Sequence, residues 1–329
     1  MRENKHSKKL AFAVLAATAA VGVSAVAPVS AAEIQTAQGF IFAAGNATES
    51  PDTTHNSVSY GTVASGTATS IAVGQGNKIT SATGSSSAYG NQNTVNGDQA
   101  NAFGDGNTVT GAYAQAFGDS NVINGTHAIG YGYKNTVGES TSNFRDRDYD
   151  NEPDSATLRP GDWKTNSVAI GSENTALGSS ALAVGNGSQA KMSESIAIGH
   201  AAEAERTWST AIGTRANASE VRSQAIGYEA QAAGYKANAI GSSAQATGAH
   251  TNAIGSSAIA SGDHAQAYGA GAQAEGVRAN AFGSDAHAKA NYAMAIGDHS
   301  VVTDANSVAI GYQSQSSPAT AVNSASVMT

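Results

Sequence analysis

The 329-residue sequence contains no cysteine, which excludes disulfide staples, thiolate zinc sites and cysteine nucleophiles together. Packing and hydrogen bonds must hold the fold. Charge is scarce, at 13% of residues, and aromatics make up 6%. Long apolar runs are absent after the first, Leu10–Val26, which follows Arg2, Lys5, Lys8 and Lys9 and precedes Val29-Ser30-Ala31. A basic segment, an apolar one and a small-residue site in that order make residues 1–31 a cleavable signal peptide. Its removal leaves 13 basic and 24 acidic residues, a net charge of −11. Such a balance disfavours nucleic acid as a partner.

What the chain has in abundance is glycine, 37 residues, together with alanine and serine. The placement is periodic. From Gly171 to Gly311 a glycine recurs every 14 residues, each closing a pentad such as Ser-Val-Ala-Ile-Gly at 167–171 or Ala-Asn-Ala-Phe-Gly at 279–283. Eleven units of fixed period signal a repeat architecture. Fourteen residues are too few for a helix pair and suit two short strands with two turns, one coil of a β-solenoid. With the glycine numbered position 5, alanine holds position 3 throughout (Ala169 to Ala309), and positions 8 and 10 are mostly Ala or Ser. Side chains along a strand alternate between faces. Positions 1–5 and 7–11 are therefore expected to be strands that meet through their alanines in a thin interior.

That parity places the largest side chains outside. Ile170, Ile198, Ile212, Ile226, Ile240, Ile254, Tyr268, Phe282, Ile296 and Ile310 occupy position 4 and stack into one apolar ridge. A ridge of that size marks an interface. An alanine interior gains little at about 25 cal/mol per Å² against an ordering cost of about 1–2 kcal/mol per residue. The ridge is expected to be buried against further copies in a closed symmetric ring.

These pentads with alternating Ala/Ser resemble the YadA-like head of trimeric autotransporter adhesins, strongly over 167–320 and more loosely over 57–130. The resemblance implies a left-handed parallel β-roll, a homotrimer of three chains around one axis, and attachment to host extracellular matrix proteins or cell-surface glycans. It also implies export to the bacterial cell surface and outer membrane, or secretion. Family members carry a stalk and a membrane barrel after the head. Neither a heptad pattern nor a set of long alternating strands follows here, so any membrane anchor is expected to lie outside this chain.

The expected organisation follows in order. A leader or cap spans 32–56, since the end of a solenoid invites aggregation unless covered. An irregular array spans 57–134, its glycines read as Gly61, Gly74, Gly90, Gly104, Gly118 and Gly130, with Tyr60, Val73, Tyr89, Phe103, Phe117 and Ile129 at position 4. The aromatics imply a wider axial space or a packing unlike that of the second array. A charged insertion spans 135–166, the regular array 167–320, and a truncated or neck-like end 321–329.

Three constellations bear on chemistry. Asp146, Asp148, Asp150, Glu152 and Asp154 alternate as in calcium loops, but Asn151 stands where the turn glycine is required and Arg145 and Arg147 compete for the carboxylates. The segment reads as a solvated, ion-paired loop, with Asp146, Asp148 and Asp150 the weak metal candidates. Position 14 reads Trp208, Arg222, Lys236, His250, His264, Arg278 and Tyr292 in successive coils, one column at about 4.8 Å spacing. Such a column either grips an anionic or extended ligand, a sulfated glycan or collagen-like chain, or pairs with acids of an adjacent subunit such as Glu229, Glu275 or Asp285. Position 2 of the middle coils is polar (Thr210, Gln224, Asn238, Asn252, Gln266, Asn280) and suits amide ladders that fix register. No catalytic constellation or cofactor motif emerges. The expectation is a non-catalytic adhesin head acting by multivalent contact. A solenoid glycan-active enzyme and a passive surface spacer are the rivals.

Overall fold

The computed structural model describes residues 58–60, 63–64, 70–74, 76–80, 85–138 and 166–316. The expected signal peptide, the cap at 32–56, the carboxylates Asp146 to Asp154 and the end at 321–329 lie outside the described residues.

The described chain is all-β. Strands coil into a parallel β-solenoid whose two sheets hold 17 and 16 strands. Each strand pairs in parallel with its counterpart in the next coil, in an unbroken register: Ala183, Ala197, Ala211, Ala225 and Ala239 follow one another as direct partners. The interior is the expected alanine column, with Ala225, Ala230, Ala232 and Ala239 all fully buried. Position 1 joins it through Ser209, Ser223 and Thr251.

The strands are shorter than expected. The first covers positions 2–4 in the later coils, as in Thr210–Ile212, and 2–6 in earlier ones, as in Val168–Ser172. The second covers only positions 9 and 10, as in Asn217–Ala218, because the chain turns over positions 5–7. At position 7 the backbone enters the left-handed region, with φ of 55° at Arg215 and 52° at Glu229. Position 14 does the same, with φ of 59° at Trp208 and 58° at Arg222. Both turns close alike: Ala216 N donates to Gly213 O at 3.3 Å, and Ser209 N to Arg206 O at 3.1 Å. Each coil is thus two seven-residue halves, with interior residues at 1/8 and 3/10 and a left-handed residue at 7/14.

Glycine at position 5 permits the coils to approach. At Gly185 φ is +140°, and a Cβ would lie 2.2 Å from the carbonyl oxygen of Gly199 in the next coil. Only glycine adopts such a backbone readily, and only glycine leaves room.

The first array differs from expectation at one coil. Gly132, not Gly130, pairs with Gly118 and Gly171. Tyr131 therefore holds position 4, Ile129 holds position 2, and the spacing from Gly118 is the regular 14. Gly130 takes the alanine's place, and Ile123 fills the space it leaves: a Cβ there would be 2.3 Å from Ile123 Cδ1. Residues 135–138 also belong to the roll, because Thr136–Val137 pairs with strands on both sides. The register then resumes across the intervening segment, Tyr131 pairing directly with Ile170.

The first array has its own interior. Position 10 carries Ile79, Val95, Val109, Ile123 and Val137, and position 8 carries asparagine, all buried. Asn107 Nδ2 donates to Asn93 Oδ1 at 3.0 Å and to Gly118 O at 2.7 Å. The same bonds recur from Asn93 onwards and cross to Asn174, whose Nδ2 reaches Asn135 Oδ1 at 3.0 Å. Ser188 ends the ladder, its Oγ donating to Asn174 Oδ1 at 2.6 Å. Every amide thus finds partners in a place where an unpaired one would be costly.

Candidate functional site

Three outward columns carry the chemistry of the roll. The first is position 4. Its side chains lie on the outer face, as strand parity requires: Ile170 is 42% exposed, Phe282 37% and Ile310 70%, while Ile198, Ile226, Ile240, Ile254, Tyr268 and Ile296 are half-buried. Val184 completes the column between Ile170 and Ile198. In the first array this column is aromatic from Tyr89 to Tyr131, and its first three rings stack on one another. Tyr89 and Phe103 lie 4.9 Å apart at 5°, and Phe103 and Phe117 5.1 Å apart at 3°. Beside it, the expected amide ladder at position 2 runs over Asn238, Asn252 and Gln266, while Asn280 Nδ2 donates to Arg278 O at 3.1 Å. Asn238 Nδ2 donates to Asn252 Oδ1 at 2.7 Å, and Asn252 Nδ2 donates to Gln266 Oε1.

The second column is position 14, at one turn. All seven residues singled out from the sequence fall in it, each in the left-handed region. Neighbours stack as the period implies. The Arg222 guanidinium sits 4.7 Å from the Trp208 ring, His250 and His264 stack at 4.9 Å and 3°, and Arg278 lies 5.7 Å from the Tyr292 ring. Lys236 instead covers its chain neighbour Tyr235 at 4.9 Å. Cation–π contact and ring stacking offset the crowding of like charges. Sequence inspection missed the continuation of the column into the first array, where Tyr113 and His127 stack at 4.8 Å. The 14-residue step between them was the available signal.

The third column, position 7, lines the opposite turn and holds two of the acids considered as partners for position 14. Glu229 instead pairs within the chain, its Oε1 accepting from Arg215 Nη1 at 2.9 Å. Asp285 lies 3.8 Å from the His299 ring. Within one chain positions 7 and 14 stand at opposite turns of the coil and do not meet; pairing between subunits is a separate matter. The hydrogen bond from Arg215 holds the Glu229 carboxyl below its ordinary range. A carboxyl lowered in the folded state adds stability above the ordinary carboxylate range and loses that contribution as pH falls through the lowered value. Arg215→Gln is expected to move the Glu229 titration upward, read from its carboxyl ¹³C shift. The change in unfolding midpoint should be small, because both side chains are well exposed and exposed pairs contribute little.

Among the described residues no group of three or more His, Asp or Glu side chains gathers as a metal site would require.

A family model, the YadA head domain repeat (2 copies), matches residues 164–188, 190–216, 207–230, 274–300, 288–314 and 305–324. The strands between the two groups of matches keep the same register without a break. No curated protein matches the chain.

Proposed function

We propose, from the YadA-like head domain that repeats across residues 164–324 form, that this protein is the adhesive head of an exported, surface-displayed homotrimer. It attaches to host matrix or cells by presenting one weak surface three times. Repeating a contact on a stiff support raises avidity without any new interaction. One observation carries the reading: the position-4 column, aliphatic or aromatic in every coil, stays at least partly open to solvent on an isolated chain. Among the described residues no further layer covers it, and three copies around an axis would bury it.

The rival spacer reading has the same fold and differs only in lacking a partner. Binding of a mass-verified trimer to immobilised matrix proteins and to cultured cells separates the two. Saturable attachment supports the head, and none at micromolar protein refutes it. The assembly has its own test. Ile226→Asp combined with Ile240→Asp is expected to abolish the trimer and to unfold the chain with it, read by sedimentation and circular dichroism. A folded monomer would overturn the interface assignment.

A further inference from the structure

The two turns of each coil are equivalent in backbone but not in composition. Position 7 uses glycine at Gly76, Gly106, Gly187 and Gly271, whereas position 14 uses none among the described residues. A left-handed third residue of a turn ordinarily selects glycine or asparagine. Yet Arg222, Lys236, His250, His264 and Arg278 hold φ between 55° and 61° in five consecutive coils. Position 7 is left-handed at non-glycine residues too, such as Arg215 and Glu229, but it relaxes to glycine in four coils; a turn that never does so among the described residues points to a use for its side chains.

Lys191 and Arg215, elsewhere on the roll, each meet a glutamate at 2.8–2.9 Å. Among the described residues Arg222, Lys236 and Arg278 form no ion pair, and they lie on aromatic rings instead. Their charges remain available to a ligand. Beside them opens a cleft of about 390 Å³, floored by Ala233, Gly234 and Ala249 and walled by Tyr235 and His250, with Glu220 at its edge. The two rings meet edge to face at 5.4 Å. Small residues beside an aromatic wall leave room for a sugar ring.

We propose that the position-14 column is a binding track for a linear sulfated glycan, strengthened in acid by His250 and His264. This deepens the adhesin reading by naming the class of ligand at one of its surfaces. Five positions that are cationic when both histidines are charged span about 19 Å at the strand spacing, which suits a chain carrying an anionic group every few ångströms. Imidazole changes charge between about pH 5 and 8. Lys236 and Arg278 bracket the pair along the column, and Tyr235 and Glu220 face His250 across the cleft. Asp263 is held off by accepting from Ala249 N at 3.0 Å, and Gln266 Nε2 lies against the His250 and His264 carbonyl oxygens. A sulfate alongside the column would accept charge-assisted hydrogen bonds from both rings in their charged form.

The test uses the full secreted chain and a fluorescent heparin octasaccharide, with affinity measured at pH 5.5 and 7.5. Lys236→Gln combined with Arg278→Gln should weaken binding about tenfold or more at both values. Arg215→Gln, at the other turn, should change it by less than about twofold. His250→Asn with His264→Asn keeps a residue suited to the left-handed region and should erase the gain at pH 5.5. Wild-type affinity in the Lys236/Arg278 pair, or an equal loss in Arg215→Gln, overturns the track. Retention of the acid gain in the histidine pair overturns the role of the histidines. A DNA dodecamer or polyglutamate bound as tightly as the octasaccharide overturns the glycan assignment. Cell attachment without octasaccharide binding rejects the track alone, whereas octasaccharide binding without attachment rejects the adhesin reading alone.

Discussion

Gly185→Ala is expected to destabilise the roll by about 3 kcal/mol or more, while Gly187→Ala, two residues away, costs about 1 kcal/mol. The two positions share a coil, and the chemical change is identical. At Gly185 φ is +140° and the added Cβ would sit 2.2 Å from the Gly199 carbonyl oxygen. That oxygen is backbone, so the next coil must move bodily, and the strand Leu182–Asn186 loses pairing with Ile196–His200. At Gly187 φ is +66° and nothing lies within 4 Å, leaving only the modest cost of a left-handed alanine. Paired denaturation curves read the difference directly. Equal midpoints for the two variants would show that coil contact does not set the demand for glycine.

The second large effect concerns the buried amides. Asn121→Ala is expected to cost about 3–5 kcal/mol, because one substitution strips partners from two coils at once. Gly132 O loses the donor at 2.9 Å, and Asn135 N loses its acceptor at 3.0 Å. Asn107 Oδ1 also gives up a bond of 2.9 Å. In a stack where each coil touches only its neighbours, such a defect weakens one interface and not the whole. Thermal unfolding should therefore separate into two steps, and hydrogen exchange should speed up first at Asn135. A single, slightly lowered transition would show the ladder to be energetically idle.

Much of this architecture is legible in the 14-residue step. Parity alone placed Ile226 and Ile240 outside and Ala225 and Ala239 inside, and the step alone stacked Arg222 on Trp208. The turns were harder to read. Left-handed backbone at Arg215, Glu229, Trp208 and Arg222 leaves no mark in the sequence, because these residues lack the usual glycine or asparagine signature. The second strand was consequently drawn too long. The coil at Ile129–Tyr133 offers two glycines two residues apart, and the one that had replaced an alanine was taken for the turn glycine. Only the filling of that gap by Ile123 distinguishes them, and such a contact lies between coils. The asparagines at 93, 107, 121 and 135 keep the period openly, but their burial depends on the larger Val and Ile at position 10, which widen the interior beside them.

The direct pairing of Tyr131 with Ile170 and of Asn135 with Asn174 has a consequence for how such a chain can change. The layers on either side of residues 139–165 pair with each other directly, so their register is set by their own contacts. Any stretch whose ends lie one strand spacing apart could be exchanged at that junction without disturbing a neighbour. The junction therefore tolerates a change of sequence between the two layers while the pairing of the layers themselves stays constant.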